Sequence, residues 1–197
     1  LRSGTVNIGY QERAALNADA KRIIAQTCAR QIPQGASVFL AIGTTTEAVA
    51  RELRRHSGLM VVTNNLNVAN ILAENPDCQV IVTGGALRRS DGGLTGPLTE
   101  SAIAQFKVDI AVIGCSALDG SGDVLDYDIH EVGVSRALIA QARRAWLVSD
   151  LSKLGRNAPA RIASMAALDT VITDRALPEA LRGKCAQWQT RLLVAQA

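Results

Sequence analysis

The sequence is poor in aromatic residues, which make up 3% of its 197 residues. A core with so few rings has to be built from Ala, Val, Leu and Ile, which are typical of a parallel sheet covered by helices. An aromatic surface on which nucleic-acid bases could stack is not expected.

Long apolar runs and dense positive charge are also absent. No stretch approaches the roughly 18 apolar residues of a membrane span, and no basic segment followed by an apolar one indicates a signal peptide. The net charge of +3 is spread along the chain, and basic clusters such as Arg88-Arg89 are no longer than pairs. We therefore expect a cytoplasmic protein that contacts neither a membrane nor, through these residues, DNA.

Cysteine pairs at metal-binding or redox spacing are lacking. The four cysteines lie far apart and within or beside apolar runs, so we interpret them as buried, reduced thiols of a cytosolic protein. They are Cys28, Cys78, Cys115 and Cys185.

The chain length fits one sizeable domain. Residues 1–17 carry little apolar periodicity and are interpreted as a connector, and residues 18–197 as one α/β domain. Because the sequence begins with Leu1 rather than Met, we expect further residues to precede it.

From Ser37 onward, short β-branched runs alternate with helical patterns of about ten residues. Ahead of them, an apolar stripe that repeats every four residues from Ala20 to Ile32 predicts a helix. The alternation predicts βαβ units in a mostly parallel sheet with helices on both faces. The predicted strands cover residues 37–42, 59–65, 79–85, 108–118, 145–150, 169–174 and a final run near 188–195.

Gly and small polar residues follow five of these strands, at residues 43–47, 63–65, 83–85, 114–116 and 149–150. In a parallel sheet such turns share the carboxyl edge, where open α/β folds bind ligands. In the first turn, Thr44 and Glu47 have the spacing of a capping box. Free amides there favour an anion, although the same string alone is also typical of a well-capped helix.

Charged residues near this edge suggest what the anion is. A phosphate monoester carries about −1.5 to −2 charges at neutral pH, and Lys153, Arg88 and Arg156 are the candidate cations. We favour Lys153, because SKLGR places it in a tight turn directly after a strand. For Arg88 a solvated loop is the alternative.

An acidic segment, Asp126 to Glu131, precedes a predicted helix. Its carboxylates could accept hydrogen bonds from ligand hydroxyls, and Asp128 could instead cap the helix. We expect no metal, because His130 lacks a second histidine at ligand spacing, and no cofactor.

Several motifs occur in a fixed order: IGTTTEAVA, VVTNNLNVAN, VTGGALRRSDGGLTGP, an HEV segment and SDLSKLGRNA. Over about residues 18–175 they resemble the sensor domain of DeoR-type transcriptional repressors. The resemblance implies a fold shared with ribose-5-phosphate isomerase and glucosamine-6-phosphate deaminase. It also implies a winged helix-turn-helix before this chain that binds operator DNA, and a homo-oligomer, either dimer or tetramer.

The resemblance further implies a phosphorylated effector, with sn-glycerol 3-phosphate expected first, and no enzymatic activity. Ala41 and Ser135 depart from the family pattern, which has an acidic residue and often a lysine there. The effector site implied by the resemblance comprises Gly43, Thr44, Thr45, Thr46, Thr63, Asn64, Asn65, Gly84, Gly85, Arg88, Gly96, Asp128, Glu131 and Lys153.

Two other functions stay open at this stage. A phosphosugar isomerase or deaminase needs a carboxylate base and a cation beside the developing enediolate, and Asp126, Asp128, Glu131 and Lys153 are the residues that would supply them. An oligomerisation domain without a ligand is the other alternative.

Overall fold

The structure, a computed structural model, describes residues 8–196, which form twelve β-strands and seven α-helices. The strands are β1 (Ser37–Leu40), β2 (Leu59–Thr63), β3 (Cys78–Val82), β4 (Ala86–Arg88), β5 (Gly93–Thr95), β6 (Ile110–Ile113), β7 (Ala117–Leu118), β8 (Asp123–Asp126), β9 (Arg144–Val148), β10 (Ala160–Ser164), β11 (Thr170–Thr173) and β12 (Arg191–Val194). The helices are α1 (Tyr10–Ala15), α2 (Ala18–Gln31), α3 (Thr44–Glu52), α4 (Leu66–Leu72), α5 (Pro97–Ile103), α6 (Ile129–Gln141) and α7 (Glu179–Gln187).

Seven strands form one sheet in the order β12-β11-β9-β6-β1-β2-β3. All its pairings are parallel, which confirms the predicted fold class. The chain builds outward from β1 to β3 in one direction and from β6 to β12 in the other. Strand order therefore reverses between β1 and β6, and the loops that follow these two strands diverge and leave a crevice.

Helices cover both faces of the sheet, because side chains of successive strand residues point to opposite faces. Phe39 of β1 belongs to the apolar cluster that includes Leu138 of α6, and α5 and α7 contribute to the same cluster. The next residue, Leu40, belongs to the opposite cluster with Ile24 of α2, to which α3 and α4 also contribute. The apolar stripe predicted for α2 is therefore confirmed.

Two small antiparallel sheets lie beside the main one: the hairpin β4-β5, and the set β10-β8-β7. The prediction of one continuous strand over residues 108–118 is wrong. The chain turns at residues 114–116 after β6, and β7 then pairs with β8 rather than extending the main sheet.

The segment predicted as a connector contains α1, and its residues 1–7 lie outside the described residues. None of the residues of α1 is buried. It contacts the domain through polar groups, since the Tyr10 hydroxyl donates a 2.7 Å hydrogen bond to Glu47 of α3.

All four cysteines are free thiols, with Cys28 and Cys185 buried and Cys78 and Cys115 partly buried. Between residues 8 and 196 no helix is both long and apolar enough to cross a bilayer.

Candidate effector site

A hollow opens at the carboxyl edge of the parallel sheet, where strand order reverses between β1 and β6. Its walls come from three strand ends: residues 42–45 after β1, residues 114–116 after β6, and residues 148–149 at the end of β9. Four charged side chains, supplied by α1, β8, α6 and the turn after β9, complete what we call the hollow: Arg13, Asp126, Glu131 and Lys153.

Helix α3 begins at the hollow without a side-chain cap. Gly43 precedes it with a φ of +145°, a conformation that L residues with a side chain rarely adopt. The amides of the first turn, including those of Thr44 and Thr45, have no intrahelical acceptor. Together with the positive end of the helix dipole, they favour an anion in the hollow.

The capping box predicted from Thr44 and Glu47 is wrong, because Glu47 is engaged elsewhere. Glu47 as a whole is 2% exposed. Its carboxylate accepts hydrogen bonds from the Tyr10 hydroxyl at 2.7 Å, from Asn65 at 3.2 Å and from Asn67 at 3.1 Å. Glu47 therefore joins α3 to α1 and α4 instead of closing the start of its own helix.

Two cations reach the hollow from opposite ends of the chain. Lys153 ends a short 3₁₀ turn after β9 and is 9% exposed. Burial lowers the pKa of its ammonium, and the nearby Asp150 partly opposes this. Arg13 comes from α1, where its guanidinium lies 3.7 Å from the carboxylate of Asp91. An anion between Lys153 and the start of α3 would favour the charged ammonium.

Two carboxyl groups, Asp126 and Glu131, also line the hollow. Burial raises the pKa of Asp126, although it accepts hydrogen bonds from the Ser116 hydroxyl at 3.0 Å and the Tyr127 amide at 2.7 Å. Burial, and next the charge of Asp126, raise the pKa of Glu131 from 4.5 to about 8 in spite of Arg88. Whether protonated or ionised, both groups offer oxygen atoms to a ligand hydroxyl.

Arg88 is held by protein carboxylates rather than left for a ligand. It contacts Asp91 through two nitrogens at 3.0 and 2.6 Å, Asp128 at 2.5 Å and Glu131 at 2.7 Å. Although burial acts to lower its pKa, its hydrogen bond to Asp91 and the charge of Glu131 raise it. Asp128 also caps α6, since it accepts the His130 amide at 2.8 Å.

Four predicted site residues are buried and bonded within the protein: Thr46, Thr63, Asn64 and Asn65. The Thr46 hydroxyl lies 2.7 Å from two carbonyls of the turn before it. The Thr63 hydroxyl donates to a carbonyl of β1 at 2.7 Å, and the Asn64 amide to a carbonyl of β5 at 2.9 Å. Asn65 caps α4 by accepting the Asn67 amide at 2.9 Å. These groups hold the strand ends in place.

Of the predicted glycines after β3 and β5, it is Gly85 that close packing requires. Gly85 has a φ of +140°, and a Cβ there would lie 2.0 Å from the Thr99 hydroxyl oxygen. Gly84 accepts the Thr99 hydroxyl at 2.6 Å through its carbonyl. Gly96 precedes α5, which has proline at its first position.

The structure therefore brings five of the predicted site residues to the hollow: Gly43, Thr44, Thr45, Glu131 and Lys153. Arg88 and Asp128 line a neighbouring cleft, which shares Arg13, Asp126 and Glu131 with the hollow. The other seven do not line the hollow: Thr46, Thr63, Asn64, Asn65, Gly84, Gly85 and Gly96.

Sequence reasoning left Arg13, Cys115, Ser116 and Ser149 out of the site. The last three follow β6 and β9, so the strand-end pattern that indicated Gly43 also covers them. Arg13 had no such signal, because it lies outside every predicted element. Burial raises the pKa of the Cys115 thiol to about 12, which favours the neutral thiol over the thiolate.

Over residues 8–196, no group of three or more His, Cys, Asp or Glu side chains is arranged so that it could hold a metal ion. The chemistry of the hollow is that of amides, cations and carboxyl groups.

Comparison with known families gives a match to the DeoR C-terminal sensor domain over residues 16–175. The chain belongs to this family. The DeoR sensor domain is thus the unit that carries the hollow, and the match begins just after Arg13.

Curated relatives of this DeoR sensor domain include transcriptional repressors. The glycerol-3-phosphate regulon repressor of Escherichia coli K12 is 45% identical over 178 residues, which is 90% of this chain and 71% of the relative. That of Haemophilus influenzae is 41% identical over 192 residues, 98% of this chain and 74% of the relative. The E. coli repressor CsqR is 35% identical over 194 residues, with 98% and 74% covered.

Solved structures confirm the predicted fold of the DeoR sensor domain. Ribose 5-phosphate isomerase A from Methanocaldococcus jannaschii has a TM-score of 0.51 at 14% identity, covering 70% of this chain and 55% of its own. The eIF2B delta subunit from Chaetomium thermophilum has a TM-score of 0.61 at 15% identity, covering 85% and 58%. At such identities the likeness concerns the fold alone.

Proposed function

We propose that the hollow binds a phosphorylated metabolite, and that this effector changes the affinity of the whole repressor for operator DNA. The observation that carries the proposal is the meeting, at the point of strand reversal, of the uncapped start of α3 with Lys153 and with two carboxyl groups. A phosphate on the ligand would match the amides and Lys153, and ligand hydroxyls would match the two carboxyl groups.

The phosphate fits the cationic part of the hollow. The amides of Thr44 and Thr45 and the ammonium of Lys153 are donors, and charge-assisted hydrogen bonds contribute about 1.5 to 3 kcal/mol each. A few such bonds support micromolar binding. Asp126 and Glu131 would accept bonds from the hydroxyls.

The first candidate effector is sn-glycerol 3-phosphate, because two relatives that are over 40% identical to this chain across the aligned residues are named for its regulon. It carries one phosphate and two hydroxyls, which suits both parts of the hollow. The nine site residues outside the hollow are proposed to act on the effector indirectly, through the strand ends and loops that they hold.

This chain spans 71 to 74% of the length of these relatives. We propose that a winged helix-turn-helix outside this chain binds the operator. We propose that the repressor works in the cytoplasm as a homo-oligomer, either dimer or tetramer. Coupling between effector and operator is typically worth about 1 to 3 kcal/mol. A gel-shift titration of the complete repressor with sn-glycerol 3-phosphate measures it, and an unchanged operator affinity at saturation would contradict the coupling.

We propose that the domain is not an enzyme, in keeping with its repressor relatives. One observation favours the alternative, a phosphosugar isomerase: the raised pKa of Glu131, about 8, suits a general base. Turnover of ribose 5-phosphate that is lost in Glu131→Gln would establish the alternative.

Calorimetry with Lys153→Gln tests the site directly. We expect sn-glycerol 3-phosphate to bind the variant about tenfold more weakly or worse, since a charge-assisted bond is lost. Lys107→Gln is the matched control, because Lys107 is exposed, and it should bind as the wild type does. Glycerol and inorganic phosphate, each offering half of the ligand, should bind more weakly. No heat from any phosphorylated metabolite with folded protein would refute the proposal.

A further inference from the structure

Helix α1 lies against the effector site with few contacts to hold it there. It has six residues, none of them buried, and an isolated helix of that length is not stable in water. Its anchors are polar: the Tyr10 hydroxyl donates to Glu47 at 2.7 Å and accepts from Asn67 at 3.1 Å, and the Lys21 ammonium donates to the Arg13 carbonyl. The position of α1 therefore depends on a few hydrogen bonds.

Arg13 of α1 is incompletely satisfied although it lines the hollow. Its Nε is buried and has no hydrogen-bond partner within the protein. Its contact with Asp91 is 3.7 Å long, beyond hydrogen-bond distance, and Arg88 already binds both oxygens of that carboxylate. A buried N–H group without an acceptor is unfavourable until an acceptor arrives.

We propose that Arg13 binds the phosphate of the effector and that this contact fixes α1 on the domain, so that occupancy of the hollow sets the position of α1. This inference rests on the proposed function. It adds Arg13 to the effector site and links the site to α1. Arg13 offers a fork of donors to a phosphate. An effector that gains this contact only when α1 is docked shifts the equilibrium toward the docked state.

Docking of α1 is coupled to anion binding over a short distance, because α1 contacts α3, the helix that begins at the hollow. Tyr10 bonds Glu47, which lies in the first turn of α3, and Arg13 reaches the hollow one helical turn later. Docking of α1 and binding of the anion thus share α3 as a common support, so each strengthens the other.

The experiment combines calorimetry and hydrogen exchange on this chain with sn-glycerol 3-phosphate as the probe. We expect Arg13→Gln to weaken binding about tenfold or more. In the wild type, saturation should slow amide exchange in residues 10–15; in Arg13→Gln at saturation it should not. Arg30→Gln, at an exposed position of α2, is the control and should match the wild type in both measurements.

Tyr10→Phe tests the coupling without altering the hollow. It removes the bond to Glu47, so exchange in α1 should quicken and effector affinity fall several-fold. If Arg13→Gln and Tyr10→Phe bind the probe as tightly as the wild type, the inference about α1 is overturned while the effector site stands. If the folded wild type binds no phosphorylated probe, the proposed function itself fails.

Discussion

Gly85 shows how tightly the loop after β3 is packed. A Cβ at this position would lie 2.0 Å from the Thr99 hydroxyl oxygen and 2.9 Å from the Thr95 carbonyl oxygen, at a φ of +140°. We expect Gly85→Ala to lower the free energy of unfolding by about 2 kcal/mol or more, because backbone strain and overpacking add. Urea denaturation measures the loss.

Gly84→Ala is the matched control for that substitution. Its Cβ would meet nothing closer than Leu98 at 4.0 Å, so its free energy of unfolding should stay within about 1 kcal/mol of the wild type. Equal losses for the two variants would show that the clash at Gly85 is relieved by movement of Thr99.

Glu131 should make the folded state less stable as the pH rises. Its pKa is raised by burial from 4.5 to about 8, so the folded chain holds a proton that the unfolded chain releases. The stability that this proton contributes is complete below about pH 4.5 and is lost as the pH approaches 8. Glu131→Gln mimics the neutral acid and escapes this loss.

Urea denaturation of the wild type and Glu131→Gln at about pH 5.5 and pH 8.5 checks the effect. Relative to the wild type, the variant should gain about 1 kcal/mol or more between these pH values, since each unit of pKa shift corresponds to about 1.4 kcal/mol. A constant difference between the two proteins would mean that Arg88 keeps Glu131 ionised throughout.

The role of a site residue could be predicted only where its position at the end of a strand is enough to decide that role. Lys153 and Thr44 follow strands of the parallel sheet, and the rule about strand ends placed them at the hollow. Thr46 has the same chemistry as Thr44, but the helix turns its hydroxyl back onto the preceding carbonyls. Arg88 was predicted as a ligand cation because two of its three carboxylate partners, Asp128 and Glu131, are distant in sequence. Such pairings depend on tertiary contacts that composition does not reveal.

At the scale of elements, helix α4 depends on its cap. Asn65 accepts the Asn67 amide at 2.9 Å and donates to Glu47 at 3.2 Å. We expect Asn65→Ala to lower the free energy of unfolding by about 1 to 2 kcal/mol, the usual cost of a lost cap. Thermal unfolding followed by circular dichroism provides the measurement.

Asn70→Ala makes the same chemical change on the exposed side of α4. It should leave the stability unchanged or raise it slightly, because alanine is the better helix former. If both alanine variants unfold alike, the cap at Asn65 contributes nothing beyond intrinsic helix propensity.

The elements that could be predicted are those with a strong pattern. Apolar β-branched runs gave the strands of the main sheet, because burial on both faces requires such runs. The hairpin β4-β5 and the small sheet containing β7 were not predicted, since strands of two to five residues in Gly-rich polar segments carry little pattern. Helix α1 was not predicted because it buries no side chain.

At the scale of the molecule, large apolar side chains are exposed on elements that follow β3 in the chain, and β3 is the strand at one edge of the main sheet. Leu98 of α5 is 70% exposed, and Leu87 of β4 is 53% exposed. If the proposed homo-oligomer forms here, Leu98→Glu should lower the mass measured by sedimentation to that of a monomer, because a buried charge opposes association. Val194→Glu, on β12 at the other edge, should leave the assembly intact. Dissociation by Val194→Glu alone would place the interface at the other edge.

The central place of β1 in the sheet has a consequence for the chain as it leaves the ribosome. β1 can pair with β2 once residues 59–63 have emerged, but its other neighbour, β6, follows only at residues 110–113. At about 5 to 20 residues per second, one side of the nascent strand stays open for several seconds. A chaperone that binds unpaired strands during translation should therefore raise the yield of folded protein more than a chaperone that acts after synthesis.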